Sequence, residues 1–157
     1  MPYALQPLLR IRTMREDRAT GELSAARRDL AEAESALEAR RHDLAVYEET
    51  REERRDRIYD SIIGRAVSRE RIDLANAGVA RIDEEGAIKA DNVARAEAER
   101  KKRKEAVDIA RRELALAMKN RMKIDEHKSI WIAADAAAQE NRAEGELEDF
   151  VVRKPEI

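Results

Sequence analysis

The sequence predicts an all-α protein, a long antiparallel two-helix coiled coil with a short turn region near its middle. Three observations predict it: few aromatic residues, no Pro between Pro7 and Pro155, and apolar residues that step by three and four along two stretches.

Of the 157 residues, 42% are charged and 3% aromatic, too little large apolar volume for a round core. Ala, Glu, Arg, Leu and Lys dominate, and these residues lose little side-chain freedom in a helix. The 32 basic and 34 acidic residues interleave to a formal net charge of −2. No single-sign field is left to hold nucleic acid or an anionic membrane, so neither partner is expected. Without Cys there is no disulfide framework, as suits a cytoplasmic chain. The start, MPYALQPLLRIRTMRED, lacks a small-residue cleavage pattern, and nowhere do 18 apolar residues run together. A soluble, unprocessed chain with no membrane insertion is expected.

An internal Pro would remove a helix hydrogen bond and clash with the preceding turn, so its absence lets helix run almost the full length. Pro7 stands where a first turn tolerates it, and Pro155 where a helix should have ended. The first arm, about 7–62, carries a stripe of Leu23, Ala26, Leu30, Ala33, Leu37, Leu44, Tyr47 and Ile58, interrupted by Arg40, Arg51 and Arg54. The second, about 79–147, carries Val79, Ile82, Val93, Ala96, Val107, Ala110, Leu114, Ala117, Ile124, Trp131 and Ala138. Its weak points are Gly86, Lys89, Arg100, Arg103, Arg121, Lys128 and Asp135.

Between the arms, Gly64 can adopt a left-handed conformation and Ser68 can cap a new helix, placing the reversal at about Gly64 to Val67. A second break is expected at Asn76 to Gly78, so that 63–78 holds the turn and a short helix. The last residues, about 151–157, are expected as a disordered tail. At 1.5 Å per residue, an arm of about 55 residues extends roughly 80 Å. Off the seam, Glu53 with Arg57, Glu97 with Lys101 and Glu99 with Arg103 are spaced to pair along their helices.

Catalytic signatures are missing. His42 and His127 lack a second ligand at helical spacing, and no phosphate loop, nucleophile elbow or paired carboxylates can be found. Neither an enzyme nor a bound metal or cofactor is expected. The run Lys101-Lys102-Arg103-Lys104 is balanced by Glu97, Glu99 and Glu105 and reads as a solvated face. Trp131 reads as an aromatic knob on the seam, or else as a docking anchor.

Two stretches resemble a known family. Leu8-Leu9-Arg10-Ile11-Arg12-Thr13-Met14-Arg15-Glu16-Asp17-Arg18-Ala19 resembles the opening helix of the YscO (SctO) proteins of type III secretion and, more distantly, of flagellar FliJ. Asn141-Arg142-Ala143-Glu144-Gly145-Glu146-Leu147-Glu148-Asp149-Phe150 is similar to their acidic finish. Ile124 stands where an aromatic often follows the basic residue, and Gly145 interrupts the acidic run.

The resemblance implies the central stalk of a type III secretion ATPase. Such a stalk inserts its two-termini end into the hexamer pore, stimulates hydrolysis, and offers its loop end to the cytosolic ring of the export gate. Export chaperones are further implied partners, and the implied location is cytoplasmic, peripheral to the secretion apparatus at the inner membrane. On that basis Arg10, Arg12, Arg15, Lys119, Lys123, His127, Lys128 and Trp131 are expected to face the ATPase. Ile62, Ile63, Val67, Ile72 and Leu74, more apolar than an exposed turn requires, are expected to face the gate or to pack the turn itself. A stalk is expected to be monomeric when free, and a rival reading, a generic coiled-coil tether, would self-associate.

Overall fold

A computed structural model describes residues 2–152, with side chains placed to residue 148. Two helices, α1 (Gln6–Asp60) and α2 (Arg69–Val152), pack against each other. By internal contacts the chain divides into two units, one of Met1–Leu23 with Ala110–Ile157 and one of Ser24–Ile109.

In the first unit Tyr3 lies against His127 and Trp131, and Glu16 pairs with Arg121. In the second, Asp29 pairs with Arg103 at 3.3 Å, Arg41 with Glu97 at 2.9 Å, Asp43 with Lys89 at 2.8 Å, Arg51 with Asp83 at 2.8 Å and Arg54 with Glu85 at 3.0 Å. Across each unit as a whole, pairs later on α1 use earlier residues of α2, from Asp29 with Arg103 to Arg51 with Asp83 in the second, so the helices run antiparallel.

The predicted stripes form the seam. Leu23, Leu37, Tyr47, Val79, Ile82, Val107 and Ala110 are buried. Of the expected interruptions, Arg51, Arg54, Gly86, Lys89, Arg100, Arg103, Arg121, Lys128 and Asp135 are partly buried on the same line, whereas Arg40 is exposed. Arg51, Arg54, Lys89, Arg103 and Arg121 keep their charged ends in ion pairs while their stems cover the seam. No described side chain is wholly buried, because a two-helix seam leaves each residue one open side. Ala138 departs from the expected stripe: residues 136–148 are all exposed.

Two further expectations differ from the structure. Residues 76–78 do not break the chain, for α2 runs through them. A Cβ on Gly78 would stand 3.2 Å from Ile58 Cδ1, and Ala75 and Val79 are buried beside it. This Gly therefore serves close helix approach, and packing outweighs its propensity cost of about 1 kcal/mol. The second arm, expected to end at about 147, continues through 151 and 152, where the expected tail begins. The remainder of the expected tail, 153–157, lies outside the described residues.

Candidate interaction surfaces

In the first unit the chain enters α1 through Tyr3, whose carbonyl accepts from the Gln6 amide at 3.1 Å. That bond holds the main chain ahead of the helix and lets the ring turn onto α2. There it is 7% exposed, its hydroxyl 2.8 Å from His127 Nδ1 and its ring centroid 5.5 Å from that of Trp131. The clasp uses one nitrogen of His127 and one face of Trp131, so the indole acts as the packing knob. Tyr3 carried no sequence signal of this role, being a lone aromatic ahead of the helical periodicity.

Around the clasp stand the basic residues singled out from sequence. Arg10, Arg15, Lys119, Lys123 and His127 are exposed, whereas Arg12, Lys128 and Trp131 are partly buried. Arg12 Nε is shut off from water and has no hydrogen-bond partner among the described residues. Arg121, which sequence reading took only as a weak point of the seam, donates to Glu16 across the seam and to Asp125 one turn on. Those carboxylates, Glu16 foremost, push its guanidinium pKa above the ordinary value. Beside Lys119 and Lys123, α2 presents a shallow apolar groove lined by Ala115, Met118 and Met122, with Glu126 at its edge. Met118 is 40% and Met122 58% exposed, and both lie off the seam, where stripe reading does not look.

In the second unit the turn lies between Asp60 and Arg69. The amides of Ile62 and Ile63 both donate to Tyr59 O at 2.9 Å, closing the end of α1. Gly64 then takes a φ of 71°, a left-handed conformation open to Gly without Cβ strain. The carbonyl of Ser68 accepts from the amides of Arg71 and Ile72, starting α2. Of the apolar residues expected to face a partner, Ile63 is 67%, Ile72 41% and Leu74 72% exposed. Ile62 and Val67 are partly buried. The turn and the first residues of α2 thus divide their apolar residues between internal packing and open surface.

Tyr47 is the hub of this unit. It is 5% exposed, its hydroxyl donates to Ile82 O across the seam, and Arg54 and Lys89 stand 5.5 and 5.7 Å from its ring centroid. Lys89 also bonds Asp43, holding that carboxyl below the usual carboxylate range. The Arg51 guanidinium, bonded to Asp83, is pushed above its ordinary pKa. Glu97, spaced to pair with Lys101, instead reaches Arg41 across the seam.

Among the described residues no group of three or more His, Cys, Asp or Glu is placed to hold a metal ion. No described helix is long and apolar enough to cross a membrane.

A family model for type III secretion protein YscO matches residues 5–153. No curated protein matches the chain by sequence. Solved structures that share the fold include that of the type III secretion protein YscO from Vibrio parahaemolyticus. It has a TM-score of 0.87 and 21% identity, over 93% of this chain and 92% of that one. Another is a protein of Chlamydia trachomatis described as a homologue of YscO, with a TM-score of 0.74 and 20% identity over 98% of this chain and 93% of that one.

Proposed function

The chain belongs to the YscO family of type III secretion proteins, and from that premise we propose that it is the central stalk of the secretion system's hexameric ATPase. The observation that carries this reading is the first unit, where the start of α1 and the later part of α2 are clasped through Tyr3 and surrounded by exposed Arg10, Arg15, Lys119 and Lys123. A hexamer has six equivalent inner surfaces, while a pair of helices has two unlike faces. The pair therefore contacts the subunits unequally and biases which catalytic interface closes next, through differential contact and without a catalytic group of its own. Such a stalk works in the cytoplasm, peripheral to the secretion apparatus at the inner membrane.

Exposed Ile63 in the turn and Ile72 and Leu74 at the start of α2 are the surface we assign to the cytosolic ring of the export gate, and export chaperones are a further class of partner. Each such side chain buried against a partner contributes about 1.5–3 kcal/mol, enough for two of them to change affinity by orders of magnitude.

Charge reversal at exposed positions tests the ATPase assignment. The triple variant Arg10→Glu, Lys119→Glu, Lys123→Glu should stimulate ATP hydrolysis by a candidate hexameric ATPase less than wild type, with helix content by circular dichroism unchanged. Equal stimulation by the two proteins would sink the assignment. Ile63→Asp with Leu74→Asp should remove gate binding while sparing ATPase stimulation.

A further inference from the structure

Within the first unit α2 carries a second row besides its seam. Two residues past the seam positions Ala117, Arg121, Ile124 and Lys128 stand Lys119, Lys123, Glu126 and Ile130, about 200° around the helix and so on its far side from α1. All four are exposed, Ile130 at 64%. Steps of three and four carry the row on through Ala133 and Ala137 to Asn141, Glu144 and Glu148, where residues 136–148 are all exposed.

The charges at the two ends of this row are mostly not neutralised on their own helix. Three and four residues from Lys119, the spacing at which helix side chains pair, stand Ala115, Leu116, Met122 and Lys123, and no acid. Glu144 and Glu148 have no cation at that spacing, for Arg142 is spaced to reach Glu146. Lys123 alone has an acid so placed, Glu126. Lys119, Lys123, Glu144 and Glu148 make no ion pair among the described residues.

The row is its own complement. Reversed about a point between Ala133 and Ala134, it sets Lys119 against Glu148, Lys123 against Glu144, Glu126 against Asn141 and Ile130 against Ala137. No like charges meet, and the Ala residues at the centre let two helix backbones come close. Beside the row Met122, 58% exposed, falls opposite Gly145, where an added Cβ would meet nothing within 4 Å. A parallel arrangement would instead set Lys on Lys and Glu on Glu.

We propose that this face pairs α2 with α2 of a second copy of this chain, antiparallel about a twofold axis near Ala133 and Ala134. The pairing does not depend on the ATPase reading, but its consequence does. Lys119 and Lys123 are covered in the pair, so self-association and insertion into the hexamer exclude each other. The monomer expected of a stalk is then the form that the ATPase takes up.

Sedimentation of the full-length chain, with no ATPase present, should show a monomer–dimer equilibrium that high salt weakens. Lys119→Glu with Lys123→Glu should weaken pairing at least tenfold, as should Glu144→Lys with Glu148→Lys, each variant keeping wild-type helix content. The two variants mixed, or all four substitutions in one chain, should restore it. Since the chain has no Cys of its own, Ala134→Cys should cross-link one copy to the other. Two copies of Leu116→Cys, roughly 50 Å apart in the pair, should not. A chain monomeric at every concentration, a mixture that fails to pair, or ready cross-linking through Leu116→Cys overturns the proposal. Any of these leaves the ATPase assignment standing, and loss of that assignment leaves the pairing standing.

Discussion

Gly86 of α2 faces the ring of Tyr47 on α1 so closely that a Cβ added to it would stand 3.0 Å from Tyr47 Cε1. The ring has little freedom to yield, because its hydroxyl is bonded to Ile82 O and its face is flanked by Arg54 and Lys89. Gly86→Ala gains about 1 kcal/mol of helix propensity but incurs an overpacking cost of about 1–3 kcal/mol, so net destabilisation is expected. Gly21, with nothing within 4 Å, has no such opposition, and Gly21→Ala should stabilise by about 1 kcal/mol. Urea denaturation of the two variants should give shifts of opposite sign; a stabilising Gly86→Ala would show that Tyr47 is not held.

The clasp around Tyr3 can be watched through the chain's single Trp. Tyr3→Ala removes the ring from Trp131 and should shift its emission to longer wavelength, at a cost of up to about 3 kcal/mol. Tyr3→Phe keeps the ring and loses the hydroxyl's bond to His127 and its long one, 3.5 Å, to the Ile124 carbonyl, so emission should barely move and the cost should be about 0.5–1.5 kcal/mol. Identical spectra for the Ala variant and wild type would refute the clasp.

Acid should weaken the second unit partly through Asp43. Its folded-state pKa is lowered chiefly by the hydrogen bond from Lys89, so its contribution is present above the unfolded carboxylate range, about 4, and is lost as pH falls through the folded value. Stability measured from pH 5 downward should fall less steeply in Lys89→Met than in wild type. The difference should be small, since Asp43 is exposed, and should shrink further in high salt.

Arg121 offers a contrast between ion pairs. Its side chain is 30% exposed and that of Glu16 21%, whereas Arg18 and Glu22 are 81% and 48% exposed. A double-mutant cycle on Glu16 and Arg121 should give a larger coupling than one on Arg18 and Glu22, and the first should survive salt better. Arg121→Lys should recover only part of the loss, because an ammonium cannot present the planar fork that serves Glu16 and Asp125 together. Equal couplings for the two pairs would be evidence against this.

What could be read from the residues was the seam, because three-and-four stepping is a geometric property of a helix pair and survives interruption by Arg and Lys whose stems also pack. The turn was legible for the same kind of reason, Gly64 being placed where a left-handed residue is needed. Gly78 misled because a Gly that breaks a helix and a Gly that admits Ile58 look alike in one sequence. Ala138 misled because periodicity continues past the point where α2 keeps contact with α1. Of the candidate surfaces, the basic residues and turn apolars were visible as types, but their exposure was not: Arg12 and Lys128 lean into the seam, and Tyr3 joins the site from outside any periodic pattern.

That no described side chain is wholly buried sets the thermal behaviour of the fold. The heat-capacity change of unfolding follows the apolar surface newly hydrated, and a seam open on one side hides less of it than a globular core, which gives about 12–15 cal/mol/K per residue. A smaller value flattens the curve of stability against temperature. The helix pair should therefore lose little stability on cooling, melt over a broad interval on heating, and keep its cold-denaturation point far below freezing.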